Sequence, residues 1–270
     1  MLRNMKTILG IISGVVMAAG LALPAQAAGI AVPGSVNYME GQVSLNGTSL
    51  NSKSVGSTEV GANQLLETGH GKAEILLTPG VFLRVGDNSA IRMVSPELTN
   101  TQVEIAKGRA VLEVTQLLKN SQLVVRDDGA VTTIEKNGIY AFNTDPKRVQ
   151  VFDGKATVAL VDNDATVELK KGKEVSLNGS LNPEKFDRKA EEKQDPLYQW
   201  SSVRSQYMEQ ASFDAARTVV INQGWYGSGW YWDPYWSTYS FLPGAGFIYS
   251  PFGFNYYSPF GFYPGYYRYP

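Results

Sequence analysis

Between residues 35 and 180 the chain alternates apolar and polar side chains in short runs, broken by small turn-forming residues. Period two is the signature of a strand with one face toward a core. Segments 35–40, 42–46, 73–77, 81–85, 90–94, 102–106 and 109–115 fit it. So do 122–126, 130–136, 139–144, 148–152, 156–161, 166–169 and 174–177. They are rich in Val, Ile, Leu and Thr, which suit a half-buried pleated surface. Val149 and Val151, and beyond the next turn Ala156, Val158 and Leu160, can share one face. Gly, Asn and Asp recur about every 8–12 residues, which predicts an all-β main domain, an antiparallel sandwich or roll of short strands. Asp153-Gly154 predicts a tight hairpin, because Gly accepts the positive φ of a type I′ turn. Asn137-Gly138 and Asn178-Gly179 share that chemistry, and Asp128-Gly129, Lys107-Gly108 and Lys171-Gly172 mark further turns.

The period changes over 182–222. Asn182-Pro183-Glu184 predicts a helix start, with Asn as cap and Pro at the first helical position. A densely charged stretch, 187–193, follows, and Asp195-Pro196 repeats the start signal. Leu197, Trp200, Val203, Tyr207 and Ala211 then recur at three- and four-residue steps. They predict one apolar stripe on a helix ending near Arg217. Packing against the β unit is the first use for that stripe; a docking face for another protein is the second.

From 224 to 270 Gly, Pro, Tyr, Phe, Trp and Ser dominate, and charge is confined to Asp233 and Arg268. Ser250-Pro251-Phe252-Gly253-Phe254 returns as Ser258-Pro259-Phe260-Gly261-Phe262. Pro and Gly at this density exclude long helices and central strands, while the aromatic content exceeds that of a solvated linker. The expectation is a low-complexity tail, disordered or extended, that adheres to itself, to the β unit or to a surface.

Residues 1–28 read as an export signal. Arg3 and Lys6 supply a positive start, 8–23 an apolar run, and Pro24-Ala25-Gln26-Ala27 an Ala-x-Ala cleavage site. The run is shorter than the roughly 20 residues of a spanning helix, so a cleaved signal is expected rather than an anchor. No later segment is long and apolar enough to span. The reading places the mature protein in the periplasm, outside the cell or at the surface of a bacterium.

Composition narrows the chemistry. Among 270 residues there is no Cys and one His. Disulfides, thiolate metal sites and Cys nucleophiles are excluded, and His-based acid–base schemes lose their material. A net charge of -1 gives no field favouring nucleic acid. His70, in Thr68-Gly69-His70-Gly71, reads as an exposed turn residue. Gly69-His70-Gly71-Lys72-Ala73 lacks the first Gly of a phosphate loop and its Ser or Thr. Asp162-Asn163-Asp164 lacks the Gly and distal Glu of a calcium loop, and Asp127-Asp128 and Asp87 read as turn residues. No catalytic, cofactor or metal site is predicted.

The order of elements resembles the extracytoplasmic FecR domain over roughly Val36 to Leu177. Gly41-Gln42-Val43 opens the likeness, followed by Thr68-Gly69 leading into Lys72-Ala73-Glu74-Ile75-Leu76-Leu77. Then come Pro79-Gly80-Val81-Phe82-Leu83-Arg84-Val85-Gly86-Asp87-Asn88-Ser89, Ile105-Ala106-Lys107-Gly108-Arg109-Ala110, and Val151-Phe152-Asp153-Gly154-Lys155-Ala156. Gly138-Ile139-Tyr140-Ala141-Phe142 departs from the family's Gly-Thr-x-Phe. The resemblance implies a non-enzymatic β-rich module for sensing or interaction outside the cytoplasm. Only Met1 to Thr7 precede the apolar run, so the family regulator's sigma-binding arm is not expected. The stand-alone form of the domain is similar in its Trp/Arg-bearing helix and aromatic tail. Trp200, Arg204, Tyr207, Trp225, Trp230 and Trp232 are accordingly the candidate partner contacts, toward a cell-envelope protein or glycan. Two other readings stand beside this one: an exported enzyme or glycan-binding protein acting on cell-wall polysaccharide, with Asp87 and Asp153 as its acids, and a surface protein assembling through its tail.

Overall fold

The computed structural model describes residues 30–127, 129–162, 165–222 and 227–262. The expected export signal and Trp225 lie outside these. β1 (Val36–Leu45) runs antiparallel to β3 (Leu65–Leu76), with β2 (Thr48–Ser49) folded back on its end. The start of β3 pairs with β5 (Ala90–Glu97) and its end with β4 (Val81–Val85). Two wings spread from it. Beyond β4 lie β7 (Arg109–Val114), β10 (Gly138–Thr144), β11 (Lys147–Asp153), β14 (Lys173–Ser176) and β15 (Glu184–Lys185). Beyond β5 lie β6 (Asn100–Lys107), β8 (Gln122–Asp127), β9 (Ala130–Ile134), β12 (Lys155–Leu160) and β13 (Thr166–Lys170). Among the described strands, only β6 and β8 are parallel neighbours. The wings share one core: Leu83, Leu112, Phe142 and Val149 from one, Val103, Ile105, Val125 and Val158 from the other. This is the predicted roll of mostly antiparallel strands.

The predicted Asp153-Gly154 hairpin is not formed. β11 lies between β10 and β14, whereas β12 lies between β9 and β13. Gly154 is a corner at which the chain leaves one wing for the other. It takes φ +99, and a Cβ there would stand 2.2 Å from Tyr140 Oη. Tyr140 Oη in turn accepts the Lys155 N–H at 3.0 Å. Val151 and Ala156 both face the core, so the alternation looks the same across a corner as across a hairpin. Asp127 and Ala130, flanking Asp128-Gly129, do pair as a hairpin. β3 also begins earlier than predicted, so His70 is an exposed residue within a strand rather than in a turn.

The first helix start is likewise displaced. Glu184 and Lys185 pair with β14, and α1 (Arg188–Gln194) begins after Asp187, whose carboxylate accepts the Ala190 N–H. α2 (Pro196–Asn222) starts where Asp195-Pro196 predicts, since Asp195 Oδ1 accepts the Leu197 and Tyr198 N–H groups at 2.9 and 3.2 Å. It runs past Arg217 to Asn222. Its buried face is not the predicted stripe. Leu197 and Ala211 are buried, but Val203 and Tyr207 are 48% and 52% exposed. Ser201, Arg204, Ser205, Met208 and Ser212 face inward instead.

The tail is paired rather than extended or disordered over its described part. β16 (Gly229–Asp233) and β17 (Thr238–Leu242) form one hairpin; β18 (Phe247–Tyr249) and β19 (Asn255–Tyr257) form another. Tyr239, Phe241 and Tyr256 are buried against Leu76 and Phe82 of the roll and Met208 and Ala211 of α2. Each aromatic removes on the order of 150–250 Å² from water, so few are needed to hold a short hairpin down. Among the described residues of the tail, Pro and Gly fall outside the strands, apart from Gly229 at the start of β16. The repeated pentapeptide is one turn used twice: Ser250 Oγ accepts the Phe252 N–H at 3.1 Å, and Ser258 Oγ accepts that of Phe260 at 3.3 Å. A chain ending at Asn222 would expose Leu76, Phe82 and Met208. Its Tm should fall by about 10 °C or more, with new binding of a hydrophobic dye; an unchanged Tm without dye binding would show the hairpins to be dispensable.

Candidate interaction face

Strands β3, β4 and β7 are buried on both sides. Alternate positions that leave the inner core carry Glu74 and Leu76, Phe82 and Arg84, Val111 and Glu113. Glu74 and Arg84 are direct cross-strand partners, while Glu113 faces Phe82 one step diagonally from Arg84. That register makes an ion cluster. Arg84 Nε donates to Glu74 Oε2 at 2.8 Å and Nη1 to Glu113 Oε2 at 2.7 Å, with all three side chains fully buried. Arg204 of α2 supplies the second cation, its Nη2 donating to Glu74 Oε1 at 2.9 Å. Two guanidinium groups thus offset two carboxylates, and burial of the set requires that balance.

Neutral groups add to it around the two carboxylates, while Arg84 Nη2 and Arg204 Nε keep no hydrogen-bond partner among the described residues. Asn37 Nδ2 donates to Glu74 Oε1 at 2.9 Å, and Asn37 Oδ1 accepts the Tyr239 N–H at 2.7 Å. Ser205 Oγ donates to Glu113 Oε2, and Ser250 Oγ donates to Glu113 Oε1. The helix and both hairpins are therefore tied to the same charges. Ser212 ties them again: its Oγ donates to the Phe241 carbonyl and accepts the Tyr257 N–H, each at 3.0 Å. A sheet face bearing carboxylates selects Ser and Arg on the helix above it. That is why the buried side of α2 is turned away from the predicted apolar stripe.

The cluster decides where the candidate contacts lie. Arg204 is 7% exposed, and its guanidinium carbon sits 3.9 Å from the Tyr38 ring centre. Trp200 is half-buried with its ring 6.1 Å from Tyr38. Trp230 packs edge-on to Phe82 at 5.2 Å and Trp232 edge-on to Tyr239 at 5.0 Å. These four belong to the roof. Tyr207 alone among the described candidates is open to solvent. It lies beside Val203 in a groove that Trp236, from the turn between β16 and β17, walls on the other side.

The sequence reading missed Glu74, Arg84, Glu113 and Trp236. The first three carry a visible signal. Each is a lone charge inside an apolar strand, in Ala73-Glu74-Ile75-Leu76, Val81-Phe82-Leu83-Arg84-Val85 and Ala110-Val111-Leu112-Glu113-Val114. The candidate acids sit apart from any such arrangement. Asp87 pairs with Lys72 at 2.9 Å and Asp153 with Lys171 at 3.2 Å, all near the surface. Among the described residues no group of three or more acidic or His side chains could hold a metal, and no helix is long and apolar enough to cross a membrane.

A two-winged β roll is thus roofed by a helix and aromatic hairpins. Residues 64–157 match the family described as FecR protein. Two crystal structures of a proposed anti-sigma factor from Parabacteroides distasonis, at 2.50 Å and 1.65 Å, are similar to it, each at 18% identity and a TM-score of 0.40. The likeness covers 46% of this chain and 61% of theirs, so this chain spans less than two thirds of that protein. No curated protein matches.

Two predictions follow from the cluster. Replacing Arg84 by Met leaves Glu113 buried without a cation and Glu74 with Arg204 alone, and should cost on the order of 3–5 kcal/mol in denaturant unfolding. The exposed Arg126→Met should stay within about 0.5 kcal/mol; equal costs would refute the assignment. The second concerns acid. Burial pushes the Glu74 carboxyl up, but Arg204 and Arg84 outweigh it and hold the group at about 2 instead of 4.5. Such a group adds stability that is complete above its unfolded value and lost as pH falls through its folded one. Stability should decline from about pH 4.5 toward about pH 2, and Glu74→Gln should flatten that limb; a variant with the wild-type acid profile would contradict it.

Proposed function

We propose that this chain acts outside the cytoplasm as a non-catalytic FecR-type module that binds or senses a component of the cell envelope. The FecR match over 64–157 supports a module of regulation or recognition. The charged start, apolar run and Ala-x-Ala site of residues 1–28 support export. The observation that carries the reading is the division of labour among aromatic residues. The roof consumes Trp200, Trp230 and Trp232 in packing, yet Val203 and Tyr207 stay exposed beside Trp236 on a helix that is anchored along its whole length. Exposed apolar side chains on a pre-ordered surface suit recognition, because little entropy is lost on binding.

The test is retention on envelope fractions of the producing cell. Wild-type protein should be retained, and Val203→Glu should lower retention about tenfold with an unchanged Tm. Equal retention of the two proteins would reject this face as the contact.

A further inference from the structure

Resting on that reading of the face, we propose that the groove between α2 and the β16–β17 turn is a saccharide subsite for an uncharged glycan chain. The groove encloses about 340 Å³ and is lined by Val203, Gln206, Tyr207, Glu209, Gln210 and Trp236. That volume is at the lower end for small-molecule sites and suits one or two sugar rings.

Charge complementarity selects the ligand class. No cation lines the groove, so a phosphate, sulfate or carboxylate ligand has no counter-charge there. Two aromatic rings offer apolar faces to the C–H side of a pyranose. Two primary amides and one carboxylate offer donors and acceptors for hydroxyl groups. Gln206 and Gln210 are four residues apart on one helix face, and both are exposed. Glu209 uses Oε1 on the Asn255 N–H and Nδ2 groups, each at 3.0 Å, while its Oε2 carries no hydrogen bond among the described residues.

The wall is also pre-set. Asp233, buried at the end of β16, accepts the Tyr235 and Trp236 N–H groups at 2.8 and 3.1 Å, which fixes the turn. Trp236 Nε1 donates to Asp214 Oδ2 at 3.1 Å, and Gln210 Nε2 reaches the same oxygen at 3.4 Å. With its N–H occupied, the indole offers a ligand its ring rather than a donor. An indole held this way has already lost the rotamer freedom that binding would otherwise remove. A flat protein surface would serve as well with apolar residues alone; paired amides beside a tethered indole favour a polyhydroxylated ligand.

The experiment is calorimetric titration of the full-length exported protein with cellohexaose, maltohexaose and the hexamer of N-acetylglucosamine. At least one should bind. Tyr207→Ala and Gln206→Ala, both at exposed positions, should weaken it about tenfold and severalfold, and Tyr207→Phe should keep most of the affinity. Phe247→Ala and Tyr249→Ala, exposed aromatic changes outside the groove, should leave it unchanged. No binding of any hexasaccharide at about 5 mM, or binding indifferent to Tyr207→Ala and Gln206→Ala, would overturn the proposal. If saccharides fail but Val203→Glu still abolishes envelope retention, the face binds protein and only the glycan assignment falls. If saccharides bind at the groove but envelope retention is unaltered, the subsite stands and the broader reading falls.

Discussion

Arg84 is the residue around which the molecule closes. A guanidinium in the middle of a sheet, with no solvent at hand, has to meet carboxylates, and Glu74 and Glu113 supply them from the strands on either side. Those carboxylates then require partners of their own, which the strands cannot provide. Asn37, Arg204, Ser205 and Ser250 do so from β1, the long helix and the second hairpin. A buried ion set of this kind contributes little net stability compared with apolar side chains of the same volume, but leaving it half-made is costly. The requirement therefore acts on placement. The roof can settle in one position and not in its neighbours.

Much of the roll is legible in the sequence because alternation reports which side chains face a core. It does not report which strand lies across a turn. Gly154 shows the limit: the residues on either side point inward whether the chain doubles back or crosses to the other wing. Turn chemistry fixes the backbone angle at that residue, and the long-range pairing decides the rest. The helix shows a second limit. Searching α2 for an apolar stripe finds Val203 and Tyr207, since pattern reading assumes that the buried side is the greasy one. Here the surface beneath is ionic, so the buried side is rich in Ser. The clue lay elsewhere in the chain, in three lone charges within apolar strands.

The tail is a comparable case. Its composition argues against regular structure when each Pro and Gly is taken as a breaker. Placed in connections, the same residues permit two short hairpins, and the aromatic residues between them fill the space over Phe82 and Met208. Of the uses composition left open for the tail (itself, the β unit or a surface), packing on the β unit and helix takes up Tyr239, Phe241 and Tyr256. Beside the helix the surface left for others is Tyr207, Val203 and the half-buried Trp236 at the hairpin tip; Tyr235, Phe247 and Tyr249 are also exposed. The candidate site was thus legible at one residue, Tyr207, and invisible at Trp236, whose role depends on where a distant turn comes to rest.

The limits of the family match, 64–157, fall inside this arrangement. They include Glu74, Arg84 and Glu113 but leave out Asn37, Arg204, Ser205 and Ser250. The segment that recurs across relatives is therefore not the unit that can stand in water by itself. In this chain the roll needs a lid that answers its three interior ions, and another lid could replace it only by bringing matching polar groups. The outward side of the cover, where Tyr207 and Trp236 sit, is under no such demand, so substitution there leaves the chemistry below untouched.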